Sequence, residues 1–410
     1  MQESFQEHLK DYAELIIKVG INLQKGQRLL IRAPLEAKEL VRELHIAAYR
    51  VGSPLVNSLF QDEELGLIRF QHAPRDSFEI INEAYVDTTL AAIRRGDAVI
   101  SVIGGSPDLL KGQDPELIAK ASQSYARYAK PVSELITKNA VQWCVVAMPS
   151  EPWARKVFPD KAPQEAVEAL WQAIFSSNRL FNVDPVALWR EHSQNLAARC
   201  DYLNSKNYEA LIYKGEKTNL TLGLAEGHIW QGGGAQTKEG LSFIPNLPTE
   251  EIFTAPHRFR VEGVVGSSKH LSHGGQLIED FSLEFKDGKA IKVSAKNGEA
   301  ALQKLIESDE GAARLGEVAL VPHSSPISQM NLLFLNTLFD ENAASHLALG
   351  EAYKHCVKGG EDEALFASAG GNKSIIHVDF MIGAADLDID GLRGGRLEPV
   401  MRQGEWAFEV

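Results

Sequence analysis

At 410 residues the chain is about twice an ordinary domain, and a composition of 44% hydrophobic and 24% charged residues suits two folded domains and excludes global disorder. A formal net charge of −13 disfavours nucleic-acid phosphates and anionic membrane surfaces as partners, while it tolerates metal ions and other cations. Cys144, Cys200 and Cys356 are too widely spaced for a disulfide framework or a cysteine zinc site, no segment reads as a signal peptide or a membrane span, and the cytoplasm is the expected compartment.

The first half alternates helices and strands. Residues 3–19 place Phe5, Leu9, Tyr12, Leu15 and Ile16 on one helical face. LQKGQRLLIRA then turns into a short apolar strand, and residues 36–49 return to helical spacing. Further strands are expected over residues 53–60, 97–103 and 142–148. Helices between strands imply a parallel sheet with both faces covered. Residues 1–190 are therefore read as an α/β N-terminal domain with a covered, mostly parallel sheet. Residues 184–205 form a helical connection.

Residues 191–410 read as a mixed α+β C-terminal domain. ALIYKG, TNLTLGL and HIWQG look like strands, Gly232-Gly233-Gly234 and the Pro245/Pro248 segment like loops. Helical patterns are expected over residues 298–308 and 330–353, and a buried strand over residues 374–383. His377 and Asp379 stand two apart in that strand and so face the same way. Two polar groups on one face of a buried strand need partners: either they pair with each other or they share a metal. In LFDENAASHLALGEAY, Asp340 and Asn342 offer N-cap chemistry, and Glu341 lies near the expected helix start. On that helix His346 and Tyr353, seven apart, share a face. A capping Glu341 and a core His346 explain the same residues without a metal. Glu317 precedes the apolar run Val318–Val321, and Glu250 and Glu251 sit in a Pro-bounded segment where a solvated turn is equally consistent.

Taken together, these segments supply Glu251, Glu317, Glu341, His346, His377 and Asp379. Four carboxylates balance the charge of two divalent cations, and imidazole with carboxylate suits zinc, cobalt or manganese better than calcium. A pair of ions sharing a bridging ligand polarises a carbonyl and lowers the pKa of water. No HExxH helix is present, which disfavours a one-zinc protease of that kind. Ile103-Gly104-Gly105 lacks a full GxGxxG pattern and a P-loop lysine, so it reads as a turn rather than a nucleotide site.

In this order, NLPTEEIFTAPHR, EGAARLGEVALVPHSSPIS, LFDENAASHLALGEAY and SIIHVDFMIG resemble the thermophilic metallo-aminopeptidases, the group of aminopeptidase T, aminopeptidase S and PepS. LLIRAPLEA and MPSEPWARKVFP extend the likeness weakly into the first half. The resemblance implies a two-domain homodimer acting on peptides with a free N-terminus through a co-catalytic metal pair in the C-terminal domain. It implies two divalent ions per chain, zinc or cobalt first, with manganese and magnesium as further candidates. The implied ligands are Glu251, Glu317, Glu341, His346, His377 and Asp379. Glu251 is chosen over Glu250 because Gly often precedes the ligand in that group. Glu317 is the candidate bridge, and Tyr353 matches a family tyrosine and could donate to an oxyanion. The competing readings are a two-metal amidohydrolase acting on another small amide, a nucleotide-binding module and a non-catalytic scaffold. His257 and Arg258 follow the Glu251 segment and either face substrate or lie in a solvated loop, and His323 carries no assigned role.

Overall fold

The computed structural model describes the backbone of residues 2–273 and 276–410. The chain divides into two units: Met1–Glu191 with Gly234–Pro248, and His192–Gly233 with Thr249–Val410. A single division at residue 190 therefore needs correction. Residues 234–248 return to the first unit because Asn246–Leu247 adds a parallel strand there, paired to Val145 and Val146. The same return is held by Ile244 N–H donating to Gly20 O (2.7 Å) and by Asn22 Nδ2 donating to Ser242 O (2.8 Å).

In the first unit, β1 (Leu29–Pro34), β3 (Ala98–Ile103) and β4 (Trp143–Ala147) are short, mostly apolar runs, and β2 (Val56–Gln61) is a more polar edge strand. They form a parallel sheet in the order Asn246–Leu247, β4, β3, β1, β2. Parallel neighbours need crossovers, and α2 (Lys38–Arg50) supplies the one between β1 and β2. The amphipathic α1 (Gln2–Leu15) buries Leu9, Tyr12 and Leu15, and the Tyr12 hydroxyl donates to Ala147 O (3.1 Å) at the end of β4. After β3, a Cβ on Gly104 would stand 2.1 Å from Met148 O, so this glycine serves a close approach of two strand ends.

The second unit holds two antiparallel sheets. The larger contains β5 (Ala210–Lys214) and β6 (Asn219–Leu224) between the long strands Pro256–Gly266, Gln276–Lys286 and Lys289–Asn297 on one side and Asp388–Arg393 and Arg396–Arg402 on the other. None of these long strands is among the elements expected from the sequence. The smaller sheet runs His377–Met381, His346–Gly350, Leu315–Leu320, Ile252–Thr254, Gln231–Gly232. HIWQG thus contributes only its last two residues to a strand.

Strand alternation divides the smaller sheet cleanly. Ile252, Val318, Leu320, Leu347, Leu349 and Phe380 enter the hydrophobic core of the unit. Their neighbours Phe253, Glu317, Ala319, His346, Ala348, His377 and Asp379 take the other face. The register places Glu317 opposite Ala348 and Ala348 opposite Asp379, so a small residue separates two carboxylates.

The helix expected over residues 330–353 does not form. A one-turn helix, Thr337–Asp340, is capped by Asn336 Oδ1, which accepts from Leu338 N–H (3.1 Å). A 3₁₀ turn over Glu341–Ala343 follows, and Ala344 is extended at φ −164°. His346–Gly350 is then a fully buried strand. Side chains compete with helical hydrogen bonding here: Asp340 accepts from Phe334 N–H (2.8 Å) and Asn336 N–H (2.9 Å), and Asn342 Nδ2 donates to Leu338 O (3.1 Å). His346 and Tyr353 therefore share no helical face, and Glu341 opens a short 3₁₀ turn directly after a one-turn helix, not a long helix running to Tyr353.

Candidate metal centre

The polar face of the smaller sheet gathers two triads. Glu251, Glu317 and His346 form one, and Glu317, His377 and Asp379 form the other; within each, one potential ligand atom per residue lies within 4.8 Å of the rest. His346 Nε2 stands 3.2 Å from Glu251 Oε2 and 3.5 Å from Glu317 Oε1. His377 Nε2 stands 3.7 Å from Glu317 Oε2 and 3.4 Å from Asp379 Oδ1. Glu317 thus turns one oxygen to each imidazole. It is the third residue of its strand and buried, not a carboxylate at an open strand entrance.

The remaining nitrogens fix the tautomers. His346 Nδ1 lies 3.1 Å from Ala344 O and His377 Nδ1 lies 2.8 Å from Glu351 O. A carbonyl can only accept, so each Nδ1 carries hydrogen and each Nε2 is directed at the carboxylates. Glu251 Oε2, Glu317 Oε2 and Asp379 Oδ1 are buried atoms with no hydrogen-bond partner. Buried polar atoms without partners are costly, and this set has the chemistry to hold divalent cations.

Charge repulsion in the cluster has the same sense. Burial, then the neighbouring Glu317 and Asp379, push the Glu251 carboxyl up to about 8 against the pull of His346. Burial and the Glu251 and Asp379 charges raise Glu341 well above the carboxylate range. Burial opposes a charge on His346 and His377, but their acidic neighbours outweigh it and raise them to about 10 and about 9. Burial works against the Asp379 charge, but the adjacent His377 and His346 imidazoles overcome it and hold the carboxyl below its ordinary range. Glu341 stands near both triads and belongs to neither.

Tyr353 lies past the end of the His346 strand. Its ring centroid is 4.9 Å from that of His377, 5.4 Å from His355 and 6.0 Å from Phe253. The residue is 42% exposed overall, yet around its hydroxyl, burial and the charges of Glu317, Asp379, Glu341 and Glu251 hold the phenol protonated far above its usual range. Phe253 and His355 were not anticipated from the sequence; Phe253, two residues after Glu251, is the one that strand periodicity could have placed. Glu250 is buried away from the triads, with Oε2 3.4 Å from His192 Nε2 and its N–H donating to Asn342 Oδ1 (2.7 Å). It anchors the segment that presents Glu251. His257 belongs to a strand of the larger sheet, and His323 is bonded through its backbone N–H to Gly404 O (2.8 Å); neither is in a triad.

Gly350 closes the His346 strand at φ +105°, where a Cβ would meet Ile376 O at 2.1 Å. Its neighbour Glu351 carries the carbonyl that holds His377. Gly350→Ala should therefore destabilise the protein by about 2 kcal/mol or more, through a disfavoured backbone conformation and a clash with main chain. Chemical denaturation of the variant checks it, and a stability equal to the parent's would show that this strand end relaxes freely.

A family model described as thermophilic metalloprotease (M29) matches residues 5–406. The chain is similar to Aminopeptidase T of Thermus thermophilus, with 45% identity over 405 residues, 98% of this chain and 99% of that one. It is 44% identical to Aminopeptidase 2 of Geobacillus stearothermophilus over 409 residues, 99% of each chain. Aminopeptidase PepS of Streptococcus thermophilus is 40% identical over 410 residues, again 99% of each. The solved structure of wild-type AmpT from Thermus thermophilus superposes with a TM-score of 0.93 at 45% identity, covering 98% of this chain and 100% of that chain.

Proposed function

The chain belongs to the thermophilic metalloprotease (M29) family, and from that premise we propose that it is an aminopeptidase releasing N-terminal residues from peptides at a site built for two divalent ions. The observation that carries the reading is the pair of triads sharing Glu317. We assign Glu251, Glu317 and His346 to one ion and Glu317, His377 and Asp379 to the other, with zinc or cobalt as the preferred metals and manganese or magnesium as alternatives. When bound, such ions supply Lewis acidity at a carbonyl oxygen and make water nucleophilic near neutral pH.

The chain's own residues do the rest. The carboxylates draw in the cationic α-amine of a peptide and fix which end enters. Tyr353, protonated at any physiological pH, donates to the oxygen of the scissile carbonyl as charge develops there. Glu341, raised by burial and by the Glu251 and Asp379 charges, is kept in the proposed ligand set, where bound cations would offset those charges. We place the enzyme in the cytoplasm as a homodimer, with peptides rather than nucleic acid or membrane as its partners. The acidic charge and the three free, buried cysteines agree with that placement, and no helix among the described residues is long and apolar enough to cross a membrane.

Two measurements test the function. A strong chelator should abolish hydrolysis and zinc or cobalt should restore it; metal-free protein, verified by elemental analysis, that keeps full activity would refute the metal assignment. N-acetylated peptides should be inert while their unblocked counterparts are shortened from the N-terminus. Mass-spectrometric detection of internal cuts in blocked peptides would make the enzyme an endopeptidase.

A further inference from the structure

The two histidines of the site are aimed by different means. His346 Nδ1 is held by Ala344, two residues away in the same segment (3.1 Å). His377 Nδ1 is held by Glu351, a residue of a different segment (2.8 Å). The direction of His377 therefore depends on how the two segments are joined, and at the end of their strand ladder polar side chains complete the joint. Glu351 donates its backbone N–H to Ile376 O (2.7 Å), and its carboxylate accepts from Ser374 N–H (2.5 Å). Asp309, just beyond the helix Glu299–Ile306, accepts from the Ser374 hydroxyl through both oxygens (2.9 Å each) and from Ile375 N–H (2.6 Å). Gly311 and Ala312 N–H, both at 2.8 Å, fix Asp309 in turn. The buried Asn372 closes the joint by donating to Gly311 O (2.9 Å) and Gly350 O (2.6 Å).

We propose that Asp309, acting through Ser374 and the Glu351 segment, is a positioning residue for one half of the site: it sets the aim of His377 and so controls cation affinity at the Glu317–His377–Asp379 triad without touching the Glu251–Glu317–His346 triad. The proposal rests on the two-ion reading given above. Every group around Asp309 is a donor, and a carboxylate offers only acceptors. Burial works against its charge, but the bonds from Ile375, Ser374, Ala312 and Gly311 hold its carboxyl below the usual range, so it accepts as an anion. An amide in its place keeps the shape and turns an NH₂ group toward at least one donor. Outer-shell partners of metal-bound histidines are generally worth about 10–100-fold in metal affinity.

The test is titration of the full chain, stripped of metal, with Co(II), following visible absorption bands and bound-metal stoichiometry. The parent should take up two equivalents. Asp309→Asn should take up one as the parent does and the other about 10–100-fold more weakly, with the thermal midpoint of the metal-free protein close to the parent's. Ser374→Ala, which leaves the backbone bonds to Asp309 in place, should weaken the same equivalent less, and it carries the test if Asp309→Asn fails to fold. Parent-like binding of both equivalents, or equal weakening of both, overturns the proposal. A parent that binds fewer than two ions overturns the two-ion reading, and this proposal with it.

Discussion

Glu317→Ala should empty both halves of the site at once. Glu317 is the residue common to the two triads, with one oxygen 3.5 Å from His346 Nε2 and the other 3.7 Å from His377 Nε2. On the proposed two-ion assignment, removing it takes a ligand from each ion and the shared anion between them, whereas His346→Ala or His377→Ala removes a ligand from one ion only. The expected loss in kcat/KM is about 10³-fold or more, corresponding to several kcal/mol of stabilisation at the reacting carbonyl. The fold should survive, because burial first, and the Glu317 charge among the lesser causes, raise Glu251 and Glu341, and its removal relieves part of that repulsion. Val318→Ala is the informative neighbour: Val318 faces the core from the next position of the strand, so it should cost about 1 kcal/mol or somewhat more of stability and leave metal content intact. Elemental analysis of both variants decides the matter. Two ions per chain in Glu317→Ala would remove Glu317 from the bridging position.

The contrast between Glu317 and Val318 also marks where sequence reading succeeds. β1, β3 and β4 of the first unit are apolar runs between helical segments, and such runs identify covered parallel strands whatever their neighbours are. His377 and Asp379 can be placed on one face from their spacing alone, since the period of a strand is two. HLALG defeats the same approach. Alanine and leucine favour helices, and five residues are too few to separate a period of two from one of 3.6. What makes HLALG a strand is its pairing with Leu315–Leu320 on one edge and His377–Met381 on the other, partners that only the fold brings together. For the same reason the line Glu317, Ala348, Asp379 is invisible in the sequence: it joins three separate segments across two ladders. The return of residues 234–248 to the first unit rests on a two-residue strand, which carries no periodic signal.

Tyr353→Phe should leave the metals, the fold and substrate binding in place and lower kcat by about 10²–10³-fold. Tyr353 shares no helical face with His346, which lies in a strand. A turn beyond that strand brings the ring 4.9 Å from His377, within reach of four carboxylates. Those carboxylates and burial keep the hydroxyl protonated. A neutral phenol is a poor ligand and a good donor, and a donor matters most where negative charge grows during the reaction. Because the oxyanion exists only in the transition state, the lost hydroxyl should appear in kcat and barely in KM. Phenylalanine keeps the ring between His377, His355 and Phe253, so packing is not the variable. If Tyr353 is instead an aromatic spacer that props His377, Phe is neutral and Tyr353→Ala is the harmful change. Steady-state kinetics on metal-replete Tyr353→Phe separates the two: turnover equal to the parent's would take the hydroxyl out of the reaction and leave only the ring with a role.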